Sequence, residues 1–398
     1  MQQNSPQLFI EISNLEIVFI VGKNNKNHEF ELIYSNNIKV NDARENEIFD
    51  FDWIYNSVKE NIYLIEQKLN FTFKEVTLII DMLNNFLINF SGFKKLNGSQ
   101  LTKQNVTFII NSLKGKIDEF EKNKKIIHIF NSEYLLDKKK VGNLPIGLFG
   151  DFYSHELTFF LIDKNDFKNL ENIFSRCNLR IKKLISKSFL NGIHLINGNF
   201  SPNTFFKVEI NRKNSKLIFF DNHTLKFIQD FKFGSDLIFG DISKITKLNL
   251  NVIEKILKHP KFLKNDIQKD PLLEKEFFEN NNFRKIHKKL IFDIAEARIQ
   301  EFAEIFLYKN INLKSFLKKK SSIFLRINDF QNIKCFEESF LTYFSKKDGF
   351  EVNLIDKLPL EEACDNINSF VQFGWKSEAV PFIPEKKSLI ARFFDLFN

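Results

Sequence analysis

Phe205-Phe206-Lys207-Val208-Glu209-Ile210-Asn211-Arg212-Lys213-Asn214-Ser215-Lys216-Leu217-Ile218-Phe219-Phe220 is the stretch on which the fold is decided. Two apolar runs, Phe206–Ile210 and Lys216–Phe220, flank a polar turn, and a third run, Leu225–Phe233, follows a second turn. Strand, turn, strand, turn, strand is a β-meander. The chain opens in the same way. Leu8-Phe9-Ile10-Glu11-Ile12 precedes the turn Ser13-Asn14, and Glu16–Val21 precedes the polar loop Gly22–His28 and the run Phe30–Tyr34. Two meanders about 200 residues apart, each followed by helical sequence, point to an internal duplication.

Around these meanders the periodicity changes. Phe51–Leu69 carries Ile54, Val58, Ile62, Ile65 and Leu69 at helical spacing, and Glu75–Asp81 reads as a buried strand. Residues 83–162 alternate strands and short helices, with a tight turn at Leu144-Pro145-Ile146-Gly147. Asp163–Asn178 and Lys182–His194 read as helices. Asn249–Lys309 is mostly helical with a charged loop at Lys264–Lys275. Ser322–Arg326 is then a strand, Cys335–Phe344 a helix and Glu351–Asp356 a strand.

With 398 residues the chain is long enough for several domains and a sizeable core. Hydrophobic residues make up 43% and charged residues 27%, the balance of a globular protein. The net charge of +8 favours acidic partners, although Lys, Asn, Ile and Phe are abundant throughout. Cys177, Cys335 and Cys364 form no CxxC pair, so neither a disulfide framework nor a zinc knuckle is expected, and a reducing compartment fits. The opening residues lack the basic and apolar regions of a signal peptide, and no window has the length of a spanning helix. The seven histidines are scattered. His128, His155 and His194 lie in apolar runs and read as core or surface filler rather than as metal ligands. There is no Walker loop, no GxGxxG and no HExxH, so no catalytic residue and no metal are nominated. Phenylalanines interleaved with lysines permit a nucleic-acid reading, but Phe at these spacings is a core residue more often than a stacking platform, so no nucleic acid is expected.

The last residues are different in kind. Leu389, Ile390, Phe393, Phe394, Leu396 and Phe397 fall on one helical arc of about 160°. Ser388, Arg392 and Asp395 fall opposite, Lys387 lies near the boundary, and Lys386 begins the helix near its apolar centre. Such a helix is too short to span a bilayer and suits its interface. A linker at 376–385, with Pro381 and Pro384, separates it from the body.

Several segments, taken in order, resemble the family of FtsA, the bacterial actin homologue that tethers the FtsZ ring to the inner membrane. Ile126-Ile127-His128-Ile129-Phe130-Asn131-Ser132-Glu133-Tyr134-Leu135-Leu136-Asp137, followed by Leu144–Gly150, resembles a run in the subdomain peculiar to that family. Phe233-Gly234-Ser235-Asp236 with Gly240-Asp241-Ile242-Ser243, and Ala295-Glu296-Ala297-Arg298 with Glu301, resemble two more of its segments. The amphipathic tail stands where the family carries its membrane-targeting helix.

The resemblance implies an α/β, actin-like fold of two duplicated, ribonuclease-H-like lobes around a cleft. The first lobe would comprise 1–82 and 163–203, interrupted by an α+β subdomain at 83–162. The second would comprise 204–240 and 321–375, with a helical subdomain at 241–320 that receives the FtsZ tail. There Arg284, Lys285, Lys288 and Lys289, with Lys255, Lys258, Lys261 and Lys264, would face an acidic peptide. The implied partners are FtsZ, anionic lipid, other division proteins and further copies of the chain.

The phosphate turns of such a fold are rich in Gly, Ser and Thr, because only small residues let backbone N–H groups close on a phosphate. Here the first turn is Glu11-Ile12-Ser13-Asn14, and the second, at Glu209, Asn211, Lys213 and Ser215, has larger residues where the family has its glycines. Gly234 is retained, and Glu301, the last residue of the implied and degenerate nucleotide site, lies on a helix expected to be kept for packing. A scaffold rather than a working enzyme is expected. ATP with Mg2+ is the alternative, which would make the chain a nucleotide-binding actin-like ATPase.

Overall fold

The computed structural model describes residues 5–13, 16–25, 29–39, 51–81, 85–198, 200–259, 262, 271–278, 283–313, 316, 321–328, 330–345 and 350–379. The chain divides into two units, Met1–Asn191 with Leu360–Asn398, and Gly192–Pro359.

The first unit opens with β1 (Gln7–Ile12), β2 (Glu16–Asn24) and β3 (Phe30–Lys39), an antiparallel meander. After α1 (Phe51–Leu69), β4 (Glu75–Ile80) enters parallel to β1. Val76–Ile80 are all buried, as expected of a strand covered on both faces, whereas β3 at the sheet edge alternates half-buried and exposed residues. Helix α1 buries Ile54, Val58, Ile62 and Ile65, one stripe along its length.

Next come β5 (Asn85–Lys95), α2 (Lys103–Phe120), β6 (Lys124–Leu136), β7 (Lys139–Val141) and β8 (Phe152–Asp163), which make a separate sheet of order β5-β8-β6-β7. Thr102 caps α2, accepting the Asn105 N–H while the Asn105 side chain accepts the Thr102 N–H. The helix buries Val106, Ile109, Ile110, Leu113 and Ile117 against this sheet. It lies so close that a β-carbon at Gly92 of β5 would stand 2.5 Å from Ile109 Cγ2. Then α3 (Lys164–Arg176) leads to β9 (Arg180–Ser186), parallel to β4, which completes a first sheet of order β3-β2-β1-β4-β9. The chain passes to the second unit within α4 (Lys187–Asn197).

The second unit repeats this plan. Strands β10 (Phe205–Ile210), β11 (Ser215–Asp221) and β12 (Thr224–Phe231) form the meander. Helices α5 (Asp236–Thr246), α6 (Leu250–Lys258) and α7 (Lys288–Ala303) follow, α7 running on into a π-type turn at Glu304–Tyr308. Strand β13 (Ser322–Ile327) is parallel to β10. After α8 (Phe330–Ile333) and α9 (Glu337–Phe344), β14 (Glu351–Leu354) is parallel to β13. The order β12-β11-β10-β13-β14 is that of the first sheet strand for strand, so the duplication read from the meanders extends to the whole sheet. Phe206, Val208 and Ile210 point from β10 into a core shared with α5, α6, α7 and α9. Finally α10 (Leu360–Phe373) belongs to the first unit and packs on β3.

Four expectations need correction. Residues 182–194 are not one helix: Arg180–Ser186 is β9, paired along β4, and only the remainder is helical. Residues 192–203 belong with the second unit rather than the first lobe. Residues 360–375 leave the second lobe for the first unit. The linker expected at 376–385 is not free from its start: Ser377–Ala379 pair with β6, and Ala379 is buried.

Candidate functional site

The β10–β11 turn, which stands at the place of the expected phosphate cradle, is bridged by its own side chains. Asn211 donates its backbone N–H to the Asn214 carbonyl at 2.9 Å and its Nδ2 to Asn214 Oδ1 at 2.5 Å. Its Oδ1 accepts Nδ2 of Asn328, whose backbone N–H donates to the Ile210 carbonyl at 2.8 Å. Arg326 Nε donates to Asn328 Oδ1 at 2.8 Å. These bonds join the ends of the adjacent parallel strands β10 and β13.

Beneath the turn, on the β10 face opposite Phe206, Val208 and Ile210, lie Lys207 and Glu209. Both are buried, and Lys207 Nζ meets Glu209 Oε1 at 2.6 Å, with an Arg326 nitrogen at 3.5 Å. Burial works against the Glu209 carboxylate. The Lys207 and Arg326 charges outweigh it and hold the carboxyl down to about 2.

Gly234 and the start of α5 close the turn from the other side. Ser235 and Asp236 donate their N–H groups to the Asn211 and Arg212 carbonyls, each at 2.9 Å. Arg212 returns the contact, with Nε to Asp236 at 2.8 Å and a second nitrogen to Glu254 at 3.1 Å. Ser215 Oγ donates to the Phe233 carbonyl at 2.8 Å. So Glu209, Asn211, Ser215 and Gly234 of the expected site come together in one network, and Lys213 is exposed on the turn beside them. Glu301 is held by Arg298, which also binds Asp241 at 2.6 Å and so ties α7 to α5.

In the first unit, Ser13 folds the first turn on itself. Its N–H and its Oγ both reach the Glu16 carbonyl at 3.0 Å, and its Oγ accepts the Glu16 N–H at 3.2 Å. Glu11 is paired with Lys187 at 2.5 Å. Asn14 lies outside the described residues.

Of the expected peptide-binding cations, Lys285 and Lys289 are exposed. Arg284 is exposed but bonds the Thr246 and Lys247 carbonyls at the end of α5, each at 3.3 Å. Lys288 is a correction: only 6% exposed, it is part of the packed start of α7 rather than a free cation. Lys261 and Lys264 lie outside the described residues, as do Lys386, Lys387, Leu389, Ile390, Arg392, Phe393, Phe394, Leu396 and Phe397 of the tail. Among the described residues no helix is long and apolar enough to cross a membrane, and no cluster of His, Cys, Asp or Glu is set to hold a metal.

One cluster escaped the sequence reading. His128, read as filler, is buried on β6 and its Nδ1 stands 2.9 Å from Glu378 Oε1. Lys183 of β9 approaches the other carboxylate oxygen at 3.8 Å and lies 3.7 Å over the Phe370 ring. Burial opposes the Glu378 charge, but the His128 hydrogen bond and the His128 and Lys183 charges hold the carboxyl below its ordinary range. Burial pulls Lys183 down, against the Glu378 charge. His155, on the adjacent strand β8, is pulled down to about 4 by burial, with Nε2 at 2.9 Å from Asn131 Oδ1.

No family model matches the sequence. It is 18% identical over 299 residues to the cell division protein FtsA of Buchnera aphidicola subsp. Schizaphis graminum, covering 74% of this chain and 71% of that one. Among solved structures it superposes on a chain of the PilM-PilN type IV pilus biogenesis complex with a TM-score of 0.51, at 9% identity and 89% coverage of each chain. The ethanolamine utilization protein EutJ from Carboxydothermus hydrogenoformans gives 0.44 at 10% identity, covering 92% of this chain and 90% of that one. The fold is thus the actin-like α/β fold, carried by a sequence distantly similar to FtsA.

Proposed function

We propose that this chain is a membrane adaptor of bacterial cell division, which joins the FtsZ ring to the cytoplasmic face of the inner membrane and self-associates there. The observation that carries the reading is the FtsA likeness over 299 residues on an actin-like body. The two-faced sequence Ser388–Asn398 supports the membrane half of it. A single short amphipathic segment binds weakly, so assembly of many copies would supply avidity. Lys285, just before α7, and Lys289, in its first turn, are exposed and suit the acidic tail of FtsZ.

In this reading the body acts without hydrolysing ATP. What supports that is the β10–β11 turn, where Asn211 is spent on Asn214 and Asn328 and Arg212 on Asp236 and Glu254.

Co-sedimentation with anionic liposomes tests the membrane step. The full chain pellets, and a chain lacking Ser388–Asn398 stays in solution. Equal pelleting of the two removes the mechanism. Titration with labelled ATP and magnesium tests the second point, and micromolar affinity would restore the ATPase reading.

A further inference from the structure

The amphipathic sequence that begins at Lys386 stands a short way beyond a segment that the body grips, Ser377–Ala379. On one side β6 pairs with β8, and on the other β7 covers only Tyr134–Leu136. At Ile129–Asn131 that edge is taken by the chain's own segment Ser377–Ala379. Asn131 donates its N–H to the Ser377 carbonyl at 2.6 Å, and Ala379 donates to the Ile129 carbonyl at 2.7 Å, with Phe130 and Glu378 facing each other between them. This is strand addition within one chain.

Side chains reinforce the pairing. Ala379 enters the core between α2 and its sheet. The His128 ring that receives Glu378 is surrounded by Phe130, Phe160, Phe189 and Phe370. Its Nε2 faces the Ser186 N–H at 3.5 Å. Glu378 therefore meets His128 and Lys183 beside this cluster of rings.

We propose that Ser377–Ala379 is a positioning strap, with Glu378 as its latch on His128 and Lys183, that fixes where the amphipathic tail leaves the body. The inference rests on the membrane reading above. Chain length gives the size of the effect. At about 3.5 Å per residue, a tail beginning at Lys386 reaches at most about 25 Å from a strapped Ala379. Freed back to Phe373, the end of α10, it reaches about 45 Å. The strap thus keeps the body close to the lipid and limits its orientations, which edge-to-edge assembly on a surface requires.

The test compares the full chain with Glu378→Lys, which sets a cation against Lys183, and with Glu378→Gln, which keeps the shape and removes the charge. Hydrogen exchange is measured first. In the wild type, 126–132 and 374–379 stay protected, free and on vesicles of phosphatidylcholine with phosphatidylglycerol. In Glu378→Lys they exchange about tenfold faster or more, while β10 and β13 are unchanged and report an intact fold. Glu378→Gln falls between. Neutron reflectometry on a supported bilayer of the same lipids is the second readout. The wild type forms a narrow protein layer, and the Glu378→Lys layer broadens outward by up to about 20 Å. Equal exchange in the variants, loss of wild-type protection on vesicles, or an unshifted layer in a lipid-bound Glu378→Lys chain overturns the strap alone. A wild-type chain that never binds the vesicles overturns the membrane reading, and the strap's role with it.

Discussion

Gly234 faces the carbonyl oxygen of Asn211 so closely that a β-carbon would overlap it, and the next oxygen, of Arg212, would lie 2.8 Å away. The glycine of this segment is therefore kept by a backbone contact. It lets the first N–H groups of α5 reach the turn between β10 and β11.

Gly234→Ala forces backbone against backbone and destabilises the second unit by about 3 kcal/mol or more, at the upper end for overpacking. Thermal or denaturant unfolding measures it. A variant as stable as the wild type would show that the turn and α5 separate freely.

Acid sensitivity follows from Glu209. Its folded carboxyl lies at about 2, below the ordinary 4.5, so its contribution to stability is present above pH 4.5 and is lost as the pH falls towards 2. Glu209→Gln removes that slope and costs roughly 3 kcal/mol at neutral pH, because Lys207 and Arg326 lose their shared counter-charge. Urea unfolding across pH gives both numbers, and parallel curves for the two proteins would refute the assignment.

Gly92→Leu is expected to lift α2 from its sheet, since even a β-carbon there meets Ile109 Cγ2 at 2.5 Å. The cost is about 2 kcal/mol. Exchange in 103–120 should rise while that in 236–246 does not. A rise in both would mean that the strain is not local.

Glu301 separates a structural from a nucleotide role. Its partner Arg298 also binds Asp241, so Arg298→Met loosens α5 from α7 and costs about 2 kcal/mol. Glu301→Ala, at an exposed pair, costs about 0.5 kcal/mol. If Glu301→Ala instead abolished a measurable ATP affinity, the pairing with Arg298 would be the lesser of its roles.

The strands and helix of residues 83–162 were legible because such periodicity is a local pattern, although the helix is a single one of 18 residues, Lys103–Phe120, rather than several short ones. Strand β9 was not. Ile181, Leu184 and Ile185 fall at helical spacing, and only pairing with β4 makes Arg180–Ser186 extended. Helix α10 and the strap were hidden for a similar reason: nothing near Glu378 in sequence shows that His128, 250 residues earlier, receives it.

What the sequence alone determined is the pair of meanders, the absence of glycine from the turns after Glu11 and Glu209 and the two-faced pattern of residues 388–398, because each is a property of neighbouring residues. Only the tertiary structure decided that Asn211, Asn328 and Arg326 bind one another across β10 and β13, and that Ser377–Ala379 pairs with Ile129–Asn131 of β6. Strand pairing and buried charge join residues far apart in the chain, and their energies depend on which groups the fold brings within a few ångströms.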